Sequence, residues 1–258
     1  MKWIHELFEF KEDSLFHELL SQVEYPWDVL KILKSYLLEV VKPLPKNFPK
    51  NVPVPEGIFL TEEGEVIPLK EVKEEDGRYF LKGEEIKGAI IQAGAFFNDD
   101  KVELKRGVLV ESGAFIAGPS LFLEGVKVRH GAYVRGSVLA EKGAVIGHTT
   151  EVKNSIFLEE AKAAHFAYVG DSILGANVNL GAGTKLANLK FLKSQIKFKV
   201  DDQVIFTGLK KLGAIMGDES QTGCNAVIQP GTVLGKRCFV FPGRIAGPGL
   251  IPPKTKVK

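Results

Sequence analysis

Side chains that could do chemistry occur in the middle of the chain, where the sequence places Arg135, Lys153, His165 and Tyr168. An imidazole has an ordinary pKa of about 6.5 and can move protons near neutral pH, whereas arginine and lysine suit phosphate oxygens. Taken singly, these residues favour simpler interpretations: His165 as a surface histidine and the two cations as ordinary surface charges. Asparagines such as Asn179 often serve only a turn, because asparagine tolerates left-handed backbone conformations. The elements that position these residues therefore decide what they mean.

An apolar side chain recurs at every sixth position from about residue 89 onward, and this period predicts the fold. The apolar positions are Val110, Ile116, Phe122, Val128, Val134, Ala140, Ile146, Val152, Leu158 and Ala164, then, after a slip of two residues, Leu174, Leu180 and Leu186, and later Met216, Thr222, Ile228, Leu234 and Val240. A period of six is typical of the parallel β-helix, in which three hexapeptides close one triangular coil and the coils stack. We expect an all-β solenoid of about seven coils.

Composition divides the region before the repeat. Residues 1–56 are predicted to be a helical arm and a proline-rich linker, because apolar residues at helical spacing form one stripe over Val29–Val41 and five prolines follow between residues 43 and 55. Residues 57–88 are predicted to be a small β module, and residues 89–258 the β-helix. The repeat breaks at 189–213, a lysine-rich excursion that is either a solvated decoration or a loop over a neighbouring subunit's site.

The overall composition is typical of a cytoplasmic protein. The chain has 258 residues, with 34 basic and 32 acidic side chains, whereas a general nucleic-acid binder would carry a strong basic excess. Its longest apolar helix candidate contains lysines and is shorter than the about 20 residues of a membrane span, and its acidic N-terminus does not resemble a signal peptide. The two cysteines, and histidines without ligand spacing, predict a reducing compartment and no metal site. We therefore expect neither nucleic acid nor membrane as a partner.

Residues 148–188, HTTEVKNSIFLEEAKAAHFAYVGDSILGANVNLGAGTKLAN, are the segment most typical of a known family. They resemble the acetyltransferase domain of the bifunctional glucosamine-1-phosphate N-acetyltransferase/N-acetylglucosamine-1-phosphate uridylyltransferase family. LGAIMGDESQTGCNAVIQPGTVLG, residues 212–235, resembles the coils that follow, so the resemblance spans about residues 90–245. The uridylyltransferase half is not expected, because residues 1–88 contain no GxG loop. The resemblance implies a left-handed parallel β-helix that forms a homotrimer with sites between subunits.

The resemblance also implies roles in transferring an acetyl group from acetyl-CoA to the amine of a sugar 1-phosphate. His165 matches the general base, a role that typically contributes about 10²–10⁴-fold in rate. The other matches are Arg135 and Lys153 for the phosphate, Tyr168 for the sugar phosphate, Asn179 and Asn188 for the sugar, and the Ala182 amide for the thioester carbonyl. The joint spacing within one window, rather than any single residue, supports these roles.

Several positions depart from the family pattern. Cys224 stands at a serine position and Pro242 at an alanine position of the coenzyme-binding coils, and Lys193 is only a substitute for a phosphate-binding lysine. Three alternatives therefore stay open. One is a non-catalytic β-helix that serves a sugar nucleotidyltransferase system in assembly or regulation. Another is an acyltransferase for a different sugar, including one joined to a nucleotide. The third is a zinc site between subunits, as in γ-class carbonic anhydrases.

Overall fold

The chain winds into a parallel β-helix from residue 88 onward in this computed structural model, which describes residues 4–9, 14–200 and 203–258. Parts of the predicted arm and excursion lie outside these ranges. Each coil contributes one short strand to each of three sheets, called sheets 1, 2 and 3 in chain order. The coils stack through parallel pairing between equivalent strands, as in the register of Val128 with Ile146.

The strand bounds show the repeat directly. Sheet 1 contains Ile58–Thr61, Val66–Pro68, Gly88–Ile91, Leu109–Val110, Lys127–Val128, Val145–His148, Lys162–His165, Asn179–Leu180, Gln221–Thr222, Phe239–Val240 and Lys256–Val257. Sheet 2 contains Phe96–Phe97, Phe115–Ile116, Tyr133–Val134, Glu151–Lys153, Tyr168–Gly170, Lys185–Leu186, Val227–Ile228 and Ile245–Ala246. Sheet 3 contains Val102–Leu104, Ser120–Phe122, Val138–Ala140, Ser155–Phe157, Ile173–Leu174, Ala214–Met216, Thr232–Leu234 and Gly249–Ile251.

The parallel β-helix predicted from the six-residue period is confirmed. Sheet 1 has 11 strands in the described residues, of which the first two are antiparallel, so nine parallel strands mark about nine coils. The predicted number of about seven coils is too low. The six-residue pattern is irregular in the first coil, where seven residues separate Phe97 from Leu104, and in the last, which contains Pro252 and Pro253. The left-handed winding stays a prediction from the resemblance.

The position of the phase slip differs from the prediction. The slip of two residues is in fact two one-residue deletions in successive coils, at the corners that contain Asn154 and Asp171. Ala163, rather than Ala164, therefore continues the stack of inward side chains. Leu158, predicted to point inward, is buried in the outer apolar cluster that contains the helical arm.

The helical arm covers the outer side of sheet 3. The arm consists of α-helices Ile4–Leu7, Leu15–Ser21 and Val29–Val40 with the 3₁₀ turn Pro26–Asp28; a second 3₁₀ turn, Leu69–Glu71, lies elsewhere. Outward side chains of sheet 3 form an apolar ladder of Leu121, Leu139, Ile156, Ile173, Ile215 and Val233. The helices bury their apolar stripe against this ladder, because a period of 3.6 residues presents one face to the sheet.

The excursion contains a hairpin that joins the same outer cluster. Its antiparallel strands are Lys197–Val200 and Gln203–Phe206. The Phe198 ring stacks on Trp27 of the arm with 4.6 Å between ring centroids. Phe191 and Leu192, at the turn that precedes the hairpin, are by contrast fully exposed.

Antiparallel strands cap the first coil. Ile58–Thr61 pairs with both Val66–Pro68 and Gly88–Ile91, and the Val54 N–H donates to the Ala95 carbonyl at 2.8 Å. These contacts occupy a sheet edge that would otherwise be open to pairing with another chain. Lys73–Glu75, Arg78–Leu81 and Glu84–Ile86 form a separate three-stranded meander. The predicted domain boundaries stay predictions.

Candidate functional site

His165 lies at the corner where sheet 1 turns into sheet 2. It ends the strand Lys162–His165, and its side chain is exposed. The next residue, Phe166, has a φ of 36° and donates its N–H to the His148 carbonyl at 2.7 Å. The His165 carbonyl accepts the Gly183 N–H at 3.1 Å. Hydrogen bonds to the coils on both sides therefore fix the backbone here, while the imidazole faces solvent.

Four of the predicted residues share one column along this corner. They are His165, Ala182, Cys224 and Pro242. The Ala182 carbonyl accepts the Asn225 N–H at 2.8 Å, and the Cys224 carbonyl accepts the Gly243 N–H at 2.9 Å. Neighbouring coils lie about 4.8 Å apart, so the column extends over about 14 Å. The structure thus aligns the candidate base with the three candidate donor-binding residues, which are widely separated in sequence.

Two glycines beside this column pack closely against the backbone of the next coil. A Cβ at Gly223 would lie 2.5 Å from the Pro242 nitrogen, and one at Gly181 would lie 2.6 Å from the Cys224 nitrogen. Side chains are therefore excluded there. In the part of the chain that the structure describes, the N–H groups of Ala182 and Cys224 have no hydrogen-bond partner. A free amide one coil from His165 can donate to an oxygen that develops negative charge.

Arg135 and Lys153 lie at the next corner, where sheet 2 turns into sheet 3, and both are ion-paired. The Arg135 guanidinium is 2.7 Å from a Glu151 carboxylate oxygen, and this hydrogen bond raises the pKa of Arg135. The Lys153 ammonium is 3.3 Å from an Asp171 carboxylate oxygen. The predicted phosphate-binding cations are thus already neutralised by carboxylates of this chain.

Asp171 is the central residue of this corner, and sequence analysis missed it. Its side chain is 5% exposed and accepts hydrogen bonds from Lys153, from Asn154 at 2.9 Å and from Asn188. A buried carboxylate is tolerated when several donors satisfy it. The sequence signal was an acidic residue, Asp171, one coil after the predicted cation Lys153. Because the two residues are far apart in sequence, only the register between coils shows that they form an ion pair.

Tyr168 and Asn188 meet beside Asp171. A Cβ at Gly170 would lie 2.6 Å from the Tyr168 hydroxyl oxygen and 2.7 Å from the Asn188 amide nitrogen, so both side chains cover this glycine. Burial raises the pKa of the half-buried Tyr168. The structure therefore groups Tyr168 and Asn188 with Lys153 at one corner.

Asn179 and Lys193 are placed elsewhere. Asn179 is exposed on sheet 1, in register with Lys162 and Gln221, across the His165 corner from Tyr168. Lys193 is exposed in the excursion, where its N–H donates to the Lys190 carbonyl at 3.0 Å. Within one chain, these two residues do not join the group around Asp171.

Two further histidines occupy the His165 column in the preceding coils. The His130 and His148 rings stack with 5.6 Å between centroids, and His148 Nδ1 lies 3.0 Å from the His130 carbonyl oxygen. Over the described ranges, no three His, Cys, Asp or Glu side chains are arranged to hold a metal ion. In those same ranges no helix has the length and apolar character needed to cross a membrane.

Comparisons with known proteins show what this chain is similar to. Residues 116–212 match the family model of the GMPPB C-terminal domain. A bifunctional sugar-1-phosphate nucleotidylyltransferase/acetyltransferase from Sulfurisphaera tokodaii is 40% identical over 97 residues, which are 38% of this chain and 24% of that protein. Over about a third of its length, this chain is similar to GlmU-type proteins. Proteins named bifunctional protein GlmU, from Methanocaldococcus jannaschii and Methanococcus maripaludis strain C7, are 38% and 36% identical over 92 residues.

These matches confirm the resemblance seen in the sequence. They cover 36% of this chain and 22% of each GlmU protein, so the aligned part is less than a quarter of those relatives. Together with the β-solenoid, they fit the acetyltransferase β-helix domain of GlmU-type proteins.

Proposed function

We propose that this protein is a cytoplasmic acetyl-CoA-dependent N-acetyltransferase that acts on an amino-sugar 1-phosphate, glucosamine 1-phosphate, in nucleotide-sugar synthesis. The observation that carries the proposal is the corner column, which aligns an exposed imidazole at His165 with a free amide at Ala182. The name of the Sulfurisphaera tokodaii relative includes acetyltransferase, which supports the same reaction class. A homotrimer, with each site between neighbouring subunits, completes the proposal.

The column supplies the two functions that acyl transfer to an amine needs. The amine nitrogen of the sugar attacks the thioester carbonyl carbon, and the His165 imidazole takes a proton from that nitrogen as the new bond forms. The Ala182 N–H donates to the carbonyl oxygen while that oxygen carries negative charge. When the carbon–sulfur bond breaks, the imidazolium returns the proton to the departing thiolate, so protons and electron pairs balance.

The Asp171 corner is the proposed place for the sugar. Tyr168 and Asn188 cover Gly170 and present polar groups there, and the Lys153 ammonium lies 3.3 Å from an Asp171 carboxylate oxygen. To hold a phosphate, Lys153 and Arg135 must share their donors with Asp171 and Glu151 or turn away from them. Arg135 has five N–H donors, which allows such sharing.

The second candidate function is a non-catalytic β-helix that serves assembly or regulation of a nucleotidyltransferase system. One observation favours it: both predicted phosphate-binding cations are neutralised within the chain. The cysteine and proline at coenzyme positions Cys224 and Pro242 point the same way.

The deciding experiment is thiol release from acetyl-CoA with glucosamine 1-phosphate, compared between wild type, His165→Ala and the matched control His148→Ala. His148 is exposed in the same column, one coil away, so it controls for the loss of an imidazole at this corner. We expect His165→Ala to lose about 10²–10⁴-fold in kcat, because a positioned base typically contributes that much, and His148→Ala to keep the wild-type rate.

Equal loss in both variants, or none in His165→Ala, would remove His165 from the base role. A wild type that stays silent with a panel of amino sugars and acyl-CoAs, and that shows no coenzyme A binding by calorimetry, would leave the scaffold function in its place.

A further inference from the structure

A cavity of about 470 Å³ lies on sheet 1, on the side of the His165 corner away from Tyr168. Cationic side chains line it: Lys127, Arg129, Lys142 and Lys162. Ala164, the residue before His165, is one of the lining residues, so the cavity lies next to the corner column. Neither the sequence repeat nor the resemblance drew attention to this face.

Unlike Arg135 and Lys153, most of the cations that line the cavity have no carboxylate ion-pair partner among the described residues. Lys162 is 3.1 Å from Glu160. Across residues 4–9, 14–200 and 203–258, Lys127, Arg129 and Lys142 have no ion-pair partner. The lining contains two carboxylates, Glu124 and Glu160, against four cations, which leaves an excess of positive charge.

The β-helix itself holds these cations close together. Lys127 and Lys162 are both in register with Val145 on the intervening strand, so their Cα atoms are about 10 Å apart. Arg129 follows Lys127 by two residues and therefore projects from the same face. Like charges held this close repel each other, and an anion between them removes that repulsion.

We propose that this cavity binds the phosphoryl groups of a small molecule, a phosphate ester or a diphosphate. Arginine offers a fork of donors that matches phosphate oxygens, and the lysines add compact charges around it. The lining contains no aromatic side chain on which a base could stack, so recognition is directed at the phosphates. A molecule anchored here extends toward His165 past Ala164; only this last step rests on the proposed function.

Two sources supply such a group, the sugar phosphate and the phosphates of coenzyme A. The probe for the site itself is inorganic pyrophosphate, titrated into the full chain by calorimetry. We expect Lys127→Gln/Arg129→Gln to raise the Kd of pyrophosphate at least about tenfold, because two charge-assisted contacts are removed.

The matched control is Lys197→Gln/Lys199→Gln, which removes the same charge from the excursion hairpin. Its Kd is expected to stay within about twofold of wild type, a change of less than half a kcal/mol. Equal weakening in both double variants would show general attraction to a basic protein and overturn the proposal. So would the absence of pyrophosphate binding to wild type. Circular dichroism and thermal melts check that each variant is folded.

Glucosamine 1-phosphate and adenosine 3′,5′-bisphosphate, a fragment of coenzyme A, then distinguish the sources. We expect pyrophosphate to compete with one of these two probes, and Lys127→Gln/Arg129→Gln to raise the Kd of that same probe. That probe identifies the molecule that uses the cavity. Neither readout needs turnover, so an inactive protein that still binds pyrophosphate here would refute the proposed function and leave this site standing.

Discussion

At the scale of single residues, Asp171 organises the corner that holds the candidate sugar-binding group. Its carboxylate accepts from Lys153, Asn154 and Asn188, and its own φ is 47°. We expect Asp171→Ala to lower the free energy of unfolding by about 1–3 kcal/mol, because buried donors lose their acceptor. Urea denaturation measures the change.

The matched variant for this prediction is Asp171→Asn. Asparagine tolerates the left-handed conformation and keeps one acceptor oxygen, so it is expected to cost less than alanine. If the alanine variant is as stable as the asparagine variant, the hydrogen bonds to Asp171 do not stabilise the corner.

Phe166 is the second residue whose conformation makes a prediction. Its φ of 36° lies in the region that glycine adopts at the equivalent corners, where Gly131 has φ 69° and Gly183 has φ 75°. A Cβ in this region costs about 1–2 kcal/mol. We therefore expect Phe166→Gly to be more stable than Phe166→Ala by about 1 kcal/mol, measured by denaturant unfolding.

The opposite order is expected at Asn179, which lies in a strand. We expect Asn179→Ala to be more stable than Asn179→Gly, because glycine loses more backbone entropy on folding. Should Phe166→Ala equal or exceed Phe166→Gly in stability, position 166 does not carry the strain that its φ implies.

At the scale of elements, a buried carboxyl attaches the helical arm to the β-helix. The Asp218 carboxylate accepts the Glu9 N–H at 2.6 Å and the Ala176 N–H at 2.8 Å, joining arm and coil. Burial raises the pKa of Asp218 above its ordinary value of 3.8; the negative charge of Glu9 acts in the same direction, while both N–H donors and Lys236 oppose it.

This raised pKa makes the stability of the arm depend on pH. A carboxyl that binds its proton more tightly in the folded state favours folding at low pH, and that contribution is lost as pH rises through the folded pKa. We expect Asp218→Asn to gain stability relative to wild type as the pH rises above about 4, the region of the ordinary carboxyl pKa. The loss of one acceptor oxygen adds a cost in stability that does not vary with pH. The test is therefore how the difference in free energy of unfolding between Asp218→Asn and wild type changes with pH. A constant difference between the two proteins across this range would contradict the prediction.

At the scale of the whole molecule, the arm covers the outer side of sheet 3 and does not cover sheets 1 and 2. Exposed apolar side chains near the C-terminal end of these sheets include Phe239, Phe241 and Ile245, the last of them 60% exposed. Such patches mark interaction surfaces. We expect light scattering after size exclusion to give the mass of three chains for wild type and a smaller mass for Ile245→Glu.

Leu38→Glu is the control for assembly, since Leu38 is an exposed apolar residue on the arm, 45% exposed. It is expected to keep the wild-type mass. A monomeric wild type at micromolar concentration would contradict the trimer, and dissociation by Leu38→Glu would place the interface on the arm instead.

The sequence by itself determined the parallel β-helix, because each strand must place one apolar side chain inside and that requirement repeats along the chain. It also determined which segment resembles GlmU-type proteins, because that resemblance lies in a continuous window. Only the tertiary structure decided that Arg135 and Lys153 are ion-paired while Lys127 and Arg129 have no ion-pair partner among the described residues. It also decided that His165, Ala182, Cys224 and Pro242 form one line. The physical reason is that a six-residue period is local, whereas ion pairs and columns depend on the register between coils, and the two single-residue deletions shift that register.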